Sequence, residues 1–290
     1  MLLLPQFSPS VNPALEMEET LPSGPVTRER LMAHARDLAA LHGSPGGGGG
    51  DRLLRWLNDN ANHLQRSIDE LVVGMRAGRR LPPAALWLLD NRQLIRGQIT
   101  TVRRHLPRSY SRRLPQLRQG TVAGLPRALV LARDYIAHVD GRLEPESLLG
   151  FIEAYQETHV LQLGELWATP IMLRMGLLGN LARLARRVAL MDHHAVDAGR
   201  WAARLIATAE EKPADLMMEV GRLSTAVGEP SIAFIAELRR LLRGHPAVQS
   251  VIGGWLDARR ESRDRADRDD DLRHTQAQAS DQLTAEITIT

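Results

Sequence analysis

The sequence predicts an all-α fold, a multi-helix array of antiparallel helices with a disordered N-terminus and a loosely ordered C-terminal tail. Three observations carry that reading. Apolar residues recur at i, i+3, i+4 spacing over segments long enough to be helices. The apolar content of 43% is mostly Leu and Ala, with 4% aromatics, a composition that favours helices over β-branched-rich strands. No segment before Leu283 alternates apolar and polar residues long enough to make a strand.

Residues 1–25 are rich in Pro, Ser and Glu without an apolar period, and a disordered tail is expected there. Residues 26–50 hold one helix and a tether. Thr27 is placed to cap a helix that runs to about Leu41, His42 to Pro45 stop it, and Gly46 to Gly50 form a flexible link. Because such a link fixes no orientation, the first helix is expected to dock loosely or to pair with a partner.

A helical domain is expected over 51–256. Its first helix, about Arg52 to Arg76, carries Leu53, Leu57, Leu64, Ile68, Leu71 and Met75 on one stripe and ends at Gly78. Pro82 and Pro83 suit the first turn of the next, which carries Leu88, Ile95, Ile99, Val102 and Leu106 until Pro107 intervenes. The short connection makes the two an antiparallel hairpin. An irregular link over about 107–124 precedes helices at about Pro126 to His138, Pro145 to Thr158 and Pro170 to Ala207. Thr169 and Pro170 are either the N-cap and first residue of that long helix or a kink in one that begins near Gln162. Helices at about Pro213 to Ser224, Ser231 to Arg243 and Pro246 to Asp271 follow. Residues 257–290 read as a charged helix and a truncated tail, since the β-prone Leu283 to Thr290 has no strand partner.

The chain has no cysteine, which excludes disulfides, thiolate metal sites and a Cys nucleophile. No segment reads as membrane-spanning: the best candidate, Leu166 to Leu181, is interrupted by Arg174 and falls short of roughly 20 apolar residues. Charge is strongly segregated. Residues 91–133 contain ten Arg and no Asp or Glu, while the whole chain carries only +3, so the remainder sums to −7. Arg103, Arg104, Arg108, Arg112, Arg113 and Arg118 are the candidate contacts for a partner or an anion. They face either an anionic lipid surface, an acidic protein face or phosphate, or are simply a solvated helix face. A nucleic-acid partner is not expected, because only Tyr110 supplies a stacking aromatic there.

Other polar residues read as structural. Asn91 falls on the stripe of Leu88, Ile95 and Val102, where it is expected to be a buried amide pinning a helix or loop. Asp90 points away from that stripe, toward a neighbouring Arg. Arg174 shares a face with Trp167, Ile171, Leu178 and Leu181, so Trp167 is expected to be buried and Arg174 to pair with Glu146, Glu153 or Glu165. No metal or cofactor is expected. His193 and His194 are adjacent and point about 100° apart on a helix, which keeps them from converging on one ion. Asp267 to Asp271 contains a D-x-D pattern, but within alternating charges that read as a solvated helix. No G-x-x-x-x-G-K-[ST], H-E-x-x-H or G-x-S-x-G motif occurs, so no catalytic residue is assigned.

The run Gly164 to Arg174 (GELWATPIMLR) has an order that helix packing does not dictate. With Leu86 to Asn91 (LWLLDN), Arg113 to Leu117 (RLPQL), His138 to Leu143 (HVDGRL) and Phe151 to Gln156 (FIEAYQ), it resembles the cytoplasmic N-terminal region of the cyclic β-1,2-glucan synthases, over roughly residues 27 to 190. Trp87, Asp90, Asn91, Glu165, Trp167 and Arg174 are the candidate structural signature. The resemblance implies a non-catalytic part of a UDP-glucose-dependent glucosyltransferase, at the inner face of a bacterial inner membrane, with the remaining domains of the parent synthase as partners. The Gln-x-x-Arg-Trp motif of processive synthases is absent; Asp197 to Trp201 (DAGRW) is its nearest echo. The alternative is a free-standing helical interaction protein that binds an anionic membrane or a partner protein through its Arg-rich face.

Overall fold

A computed structural model of the chain describes residues 27–43, 45–47, 52–118, 122–139 and 142–259. The expected disordered tail, most of the glycine tether, the D-x-D run and the β-prone end lie outside the described residues. Among the described residues the regular structure is helical, with two isolated bridges, Gly46 to Gln116 and Gln116 to Pro126.

The helices α1 (Arg28–His42) and α2 (Arg52–Arg76) follow the apolar periodicity closely. The Thr27 hydroxyl oxygen accepts from the Arg30 N–H at 3.4 Å, so the expected N-cap is in place. Gly78, at φ 72°, closes the turn after α2 in a conformation that glycine adopts without strain. The next helix is not continuous. It divides at Asn91 into α3 (Pro83–Asp90) and α4 (Arg92–His105), because Asn91 takes φ −94°, ψ 10° and its side-chain amide donates to the Trp87 carbonyl at 2.9 Å. Asn91 is half-buried rather than sealed in the core, while Leu88, Ile95 and Val102 are buried as the stripe predicts.

The link after Pro107 contains the single turn α5 (Arg108–Ser111), and then come α6 (Arg127–His138) and α7 (Pro145–Gln156). The long helix α8 (Leu163–Glu211) starts before Thr169, so Pro170 lies inside it. Beyond a 3₁₀ turn (Pro213–Asp215) stand α9 (Leu216–Val227), α10 (Ile232–Leu242) and α11, residues 246–259. The Ser231 hydroxyl oxygen caps α10 by accepting from the Phe234 N–H at 3.1 Å.

Internal packing divides the chain into units 1–188 and 189–290, a division that falls inside the stretch 51–256. In the first unit, Leu57 and Leu64 of α2, Tyr135 and Ile136 of α6, Phe151 and Tyr155 of α7 and Met172 of α8 form a common core. Each such side chain contributes roughly 1.5–3 kcal/mol by leaving water. The second unit is built on Leu205, Leu223, Phe234, Leu238 and Ile252.

Two elements are held more firmly than the sequence suggests. α1 packs into the first core through Leu31, Ala35, Leu38 and Ala39. Arg36 makes two hydrogen bonds to Glu157, at 2.6 and 2.8 Å, and Met32 lies over Gly150 of α7, where a Cβ would come within 2.9 Å of its methyl. The tether is also pinned at its start, where Gly46 exchanges backbone hydrogen bonds with Gln116 at 2.7 and 3.3 Å.

Candidate functional site

Arg127 occupies the first turn of α6 and points inward. Glu165 occupies the first turn of α8, and the two are buried together, at 2% and 0% exposure. Arg127 Nε donates to Glu165 Oε1 at 3.0 Å and its Nη2 donates to Oε2 at 2.6 Å, the bidentate geometry that a guanidinium offers a carboxylate. Nη2 also donates to the Val160 carbonyl at 3.2 Å, and Glu165 Oε2 accepts from the Gln162 N–H at 2.9 Å. These two bonds add to the pair's own and offset part of the cost of its burial. Burial opposes the charge on Arg127, but the Glu165 hydrogen bond and carboxylate hold it above its ordinary value. Glu165 is therefore the partner of Arg127, not of Arg174, and Arg127 leaves the positive face to which its place in the sequence assigned it.

The pair fixes the start of α8, and what it fixes is an open groove. Trp167, two residues beyond Glu165, is 73% exposed, contrary to its expected burial. The physical reason is the choice of face. α8 buries Glu165, Ala168, Met172, Leu173, Met175, Leu178, Gly179 and Ala182, a stripe whose Ala and Gly positions let neighbouring helices approach and which takes in Leu178 but not Trp167. At Gly179 an added Cβ would meet the Trp56 ring at 2.7 Å. Trp167, Ile171 and Arg174 are left on the adjacent face.

Trp167, Ala168, Ile171 and Arg174 form one wall of the groove, and His105, Pro107 and Tyr110 form the other. Tyr110 ties the walls together, its hydroxyl donating to the Gly164 carbonyl at 2.6 Å, and burial raises its pKa. The structure thus joins two separate sequence features, the run 164–174 and the arginine-rich stretch. Arg174 is exposed, as are Arg104 and Arg108, which flank His105 and Pro107 in sequence. An indole, an isoleucine, a phenol and the Arg174 guanidinium in one groove is the composition of a recognition surface, where Trp, Tyr and Arg dominate binding energy.

The other candidates lie elsewhere. Arg103 donates to Asn58 Oδ1 of α2 at 3.0 Å, and Arg118 packs over Gly46, while Arg112 and Arg113 are exposed beyond α5. Trp87 is about half exposed on α3 and Asp90 is exposed at its end. In the second unit, His194 Nδ1 lies 2.8 Å from the Ser231 hydroxyl, which gives that imidazole a structural partner beside the N-cap of α10. Sequence reasoning missed Tyr110 and His105 as groove residues. Their only signal was proximity to the arginines, and the fold that brings them to α8 depends on a buried ion pair between residues 38 apart.

No family model matches the chain. It is 34% identical over 207 residues to the cyclic β-(1,2)-glucan synthase NdvB of Rhizobium meliloti (strain 1021). The match takes in 71% of this chain and 7% of that protein, so the chain spans a small part of its relative's length.

Proposed function

For a chain related to the cyclic β-1,2-glucan synthases, we propose a non-catalytic role: an N-terminal helical part that positions the glucosyltransferase of the parent enzyme through the Trp167 groove. One observation carries the reading. The run GELWATPIMLR buries its Glu165 for structure yet leaves its Trp167, Ile171 and Arg174 together at the surface. An exposed tryptophan contributes little to folding, so its place in the run points to a contact outside this chain. Among the described residues no helix is long and apolar enough to cross a membrane. The proposed place is the cytoplasmic face of the inner membrane, beside the domains that use UDP-glucose. The test is twofold: the purified chain should incorporate no glucose from UDP-glucose, and its co-expression with a synthase lacking this region should restore glucan output. Synthesis by the chain alone would refute the non-catalytic role.

A second reading has its own support. Arg104, Arg108, Arg112 and Arg113 are all exposed, and such a cluster suits anionic lipid headgroups. In that reading the chain acts as a free-standing interaction protein, and salt-sensitive binding to phosphatidylglycerol vesicles distinguishes it.

A further inference from the structure

Between α1 and α6, three side chains with metal-ligating atoms converge. His34 comes from α1, while Asp134 and His138 share one face of α6 because they are four residues apart. One ring nitrogen of each histidine and a carboxylate oxygen of Asp134 lie within 4.8 Å of one another. We propose that this cluster binds a borderline divalent transition-metal cation, Zn²⁺ above all, through His34, Asp134 and His138, and that the ion clips α1 onto α6.

The donor set selects the class of ion. Two imidazoles and one carboxylate suit Zn²⁺ and its neighbours, whereas Ca²⁺ and Mg²⁺ take oxygen ligands. Zn–N and Zn–O bonds near 2.0–2.1 Å in a tetrahedron place ligand atoms about 3.4 Å apart, within a modest side-chain rotation of the observed spacing. In the ion's absence His34 Nε2 hydrogen-bonds directly to Asp134 Oδ2, so the ion would replace a proton already shared at that point. His138 Nδ1 lies 3.7 Å from the same oxygen, beyond hydrogen-bonding reach, and 2.8 Å from the Asp134 carbonyl oxygen. Bound through Nδ1, the ion would take the place of that backbone bond. The imidazoles of His34 and His138 stack at 3.8 Å with 27° between their planes, so a shared ion requires one ring to turn until the in-plane lone pairs converge. Side-chain exposures of 32% for His34, 16% for Asp134 and 19% for His138 leave a path for the ion and room for water as a further ligand.

The clip has a mechanical consequence. His34 and Asp134 are 100 residues apart, and α1 joins the rest of the chain through a glycine run. A bond that closes so long a loop acts on the docking of the whole helix. None of the three residues lines the Trp167 groove, so the inference does not depend on the proposed function.

The experiment uses the full chain, stripped with a chelator and titrated with Zn²⁺ against a chromophoric indicator and with Co²⁺ by visible absorption. One equivalent should bind, with the d–d bands of a nitrogen- and oxygen-ligated Co²⁺ site, and Zn²⁺ should raise the urea midpoint. His34→Ala and His138→Gln should each weaken binding by more than about 100-fold, beyond what losing an outer-shell partner costs. His193→Ala should leave it unchanged. Far-UV circular dichroism separates a lost site from a lost fold, and the wild-type titration stands without any variant. Absence of saturable one-to-one binding by the wild-type chain, or binding that survives in both folded variants, would overturn the proposal and leave the cluster as a hydrogen-bonded staple only.

Discussion

Glu165 and Trp167 sit two positions apart at the start of α8 and meet opposite environments, one sealed against Arg127 and the other in solvent. Glu165→Gln leaves the buried guanidinium of Arg127 without its counter-charge and should cost about 3–5 kcal/mol in urea unfolding. Trp167→Ala should change stability by less than about 1 kcal/mol, because a surface truncation leaves no cavity. A larger loss would place the indole in the core. His42 offers a pH test. Burial, opposed by the Asp134 charge and aided by Arg127 and His159, lowers its pKa from 6.5 to about 4, and its Nδ1 lies 2.9 Å from the Tyr155 hydroxyl. The folded state therefore disfavours the proton, so the contribution is complete above pH 6.5 and is lost as the pH falls toward about 4. Wild type should lose on the order of 1–2 kcal/mol relative to His42→Gln across that window, a figure discounted for the solvated edge of the ring. Equal pH profiles for the two would place His42 in solvent. At this scale the sequence was least legible: a wheel drawn through Trp167, Ile171 and Leu178 puts all three on one buried face, whereas the helix buries Leu178 with Ala168, Met172 and Met175 and leaves Trp167 in solvent.

At the scale of elements the apolar period was a good guide, since α1, α2, α6, α7 and α10 lie where it placed them within one or two residues. It failed at Asn91, whose hydrogen bond back to Trp87 breaks a stripe that otherwise runs unbroken from Leu88 to Val102. It also left Pro170 open, because a proline suits a first turn and an internal position about equally until the preceding turn has a reason to form. Here the Glu165 carboxylate, bonded to the Gln162 N–H, supplies that reason. Helix contact makes a test of its own. Gly179→Ala forces a Cβ to within 2.7 Å of the Trp56 ring and should destabilise by about 1–3 kcal/mol despite the better helix propensity. Gly97→Ala, in exposed α4 with nothing within 4 Å, should stabilise by roughly 0.5–1 kcal/mol. Thermal unfolding of the pair reads both, and a stabilising Gly179→Ala would mean that α8 and α2 are not in close contact there.

For the molecule as a whole, the concentration of ten arginines between residues 91 and 133 was plain in the sequence, but its meaning was divided by the fold. Arg127 went to the interior, Arg133 lies 5.7 Å from the Trp56 ring, and Arg104 and Arg108 are exposed. No local pattern separates Arg127 and Arg133 from the rest, since their contacts, with Glu165 and Trp56, lie far away in sequence. If the exposed set also meets lipid, vesicle binding should weaken steeply as screening shortens from about 10 Å at 0.1 M salt to about 3 Å at 1 M. Changing Arg103, Arg104, Arg108, Arg112 and Arg113 to Gln should then abolish it with helicity intact, and unfolding of that variant would make those arginines structural. The proposed docking role has a more direct test in the affinity of the purified chain for the remainder of a related synthase, measured for wild type and Trp167→Ala at matched stability. Saturable association is expected, weakened by Trp167→Ala by about 2 kcal/mol or more, roughly thirty-fold, as for a central tryptophan of an interface. Absence of association, or an affinity unmoved by that substitution, would contradict the docking role.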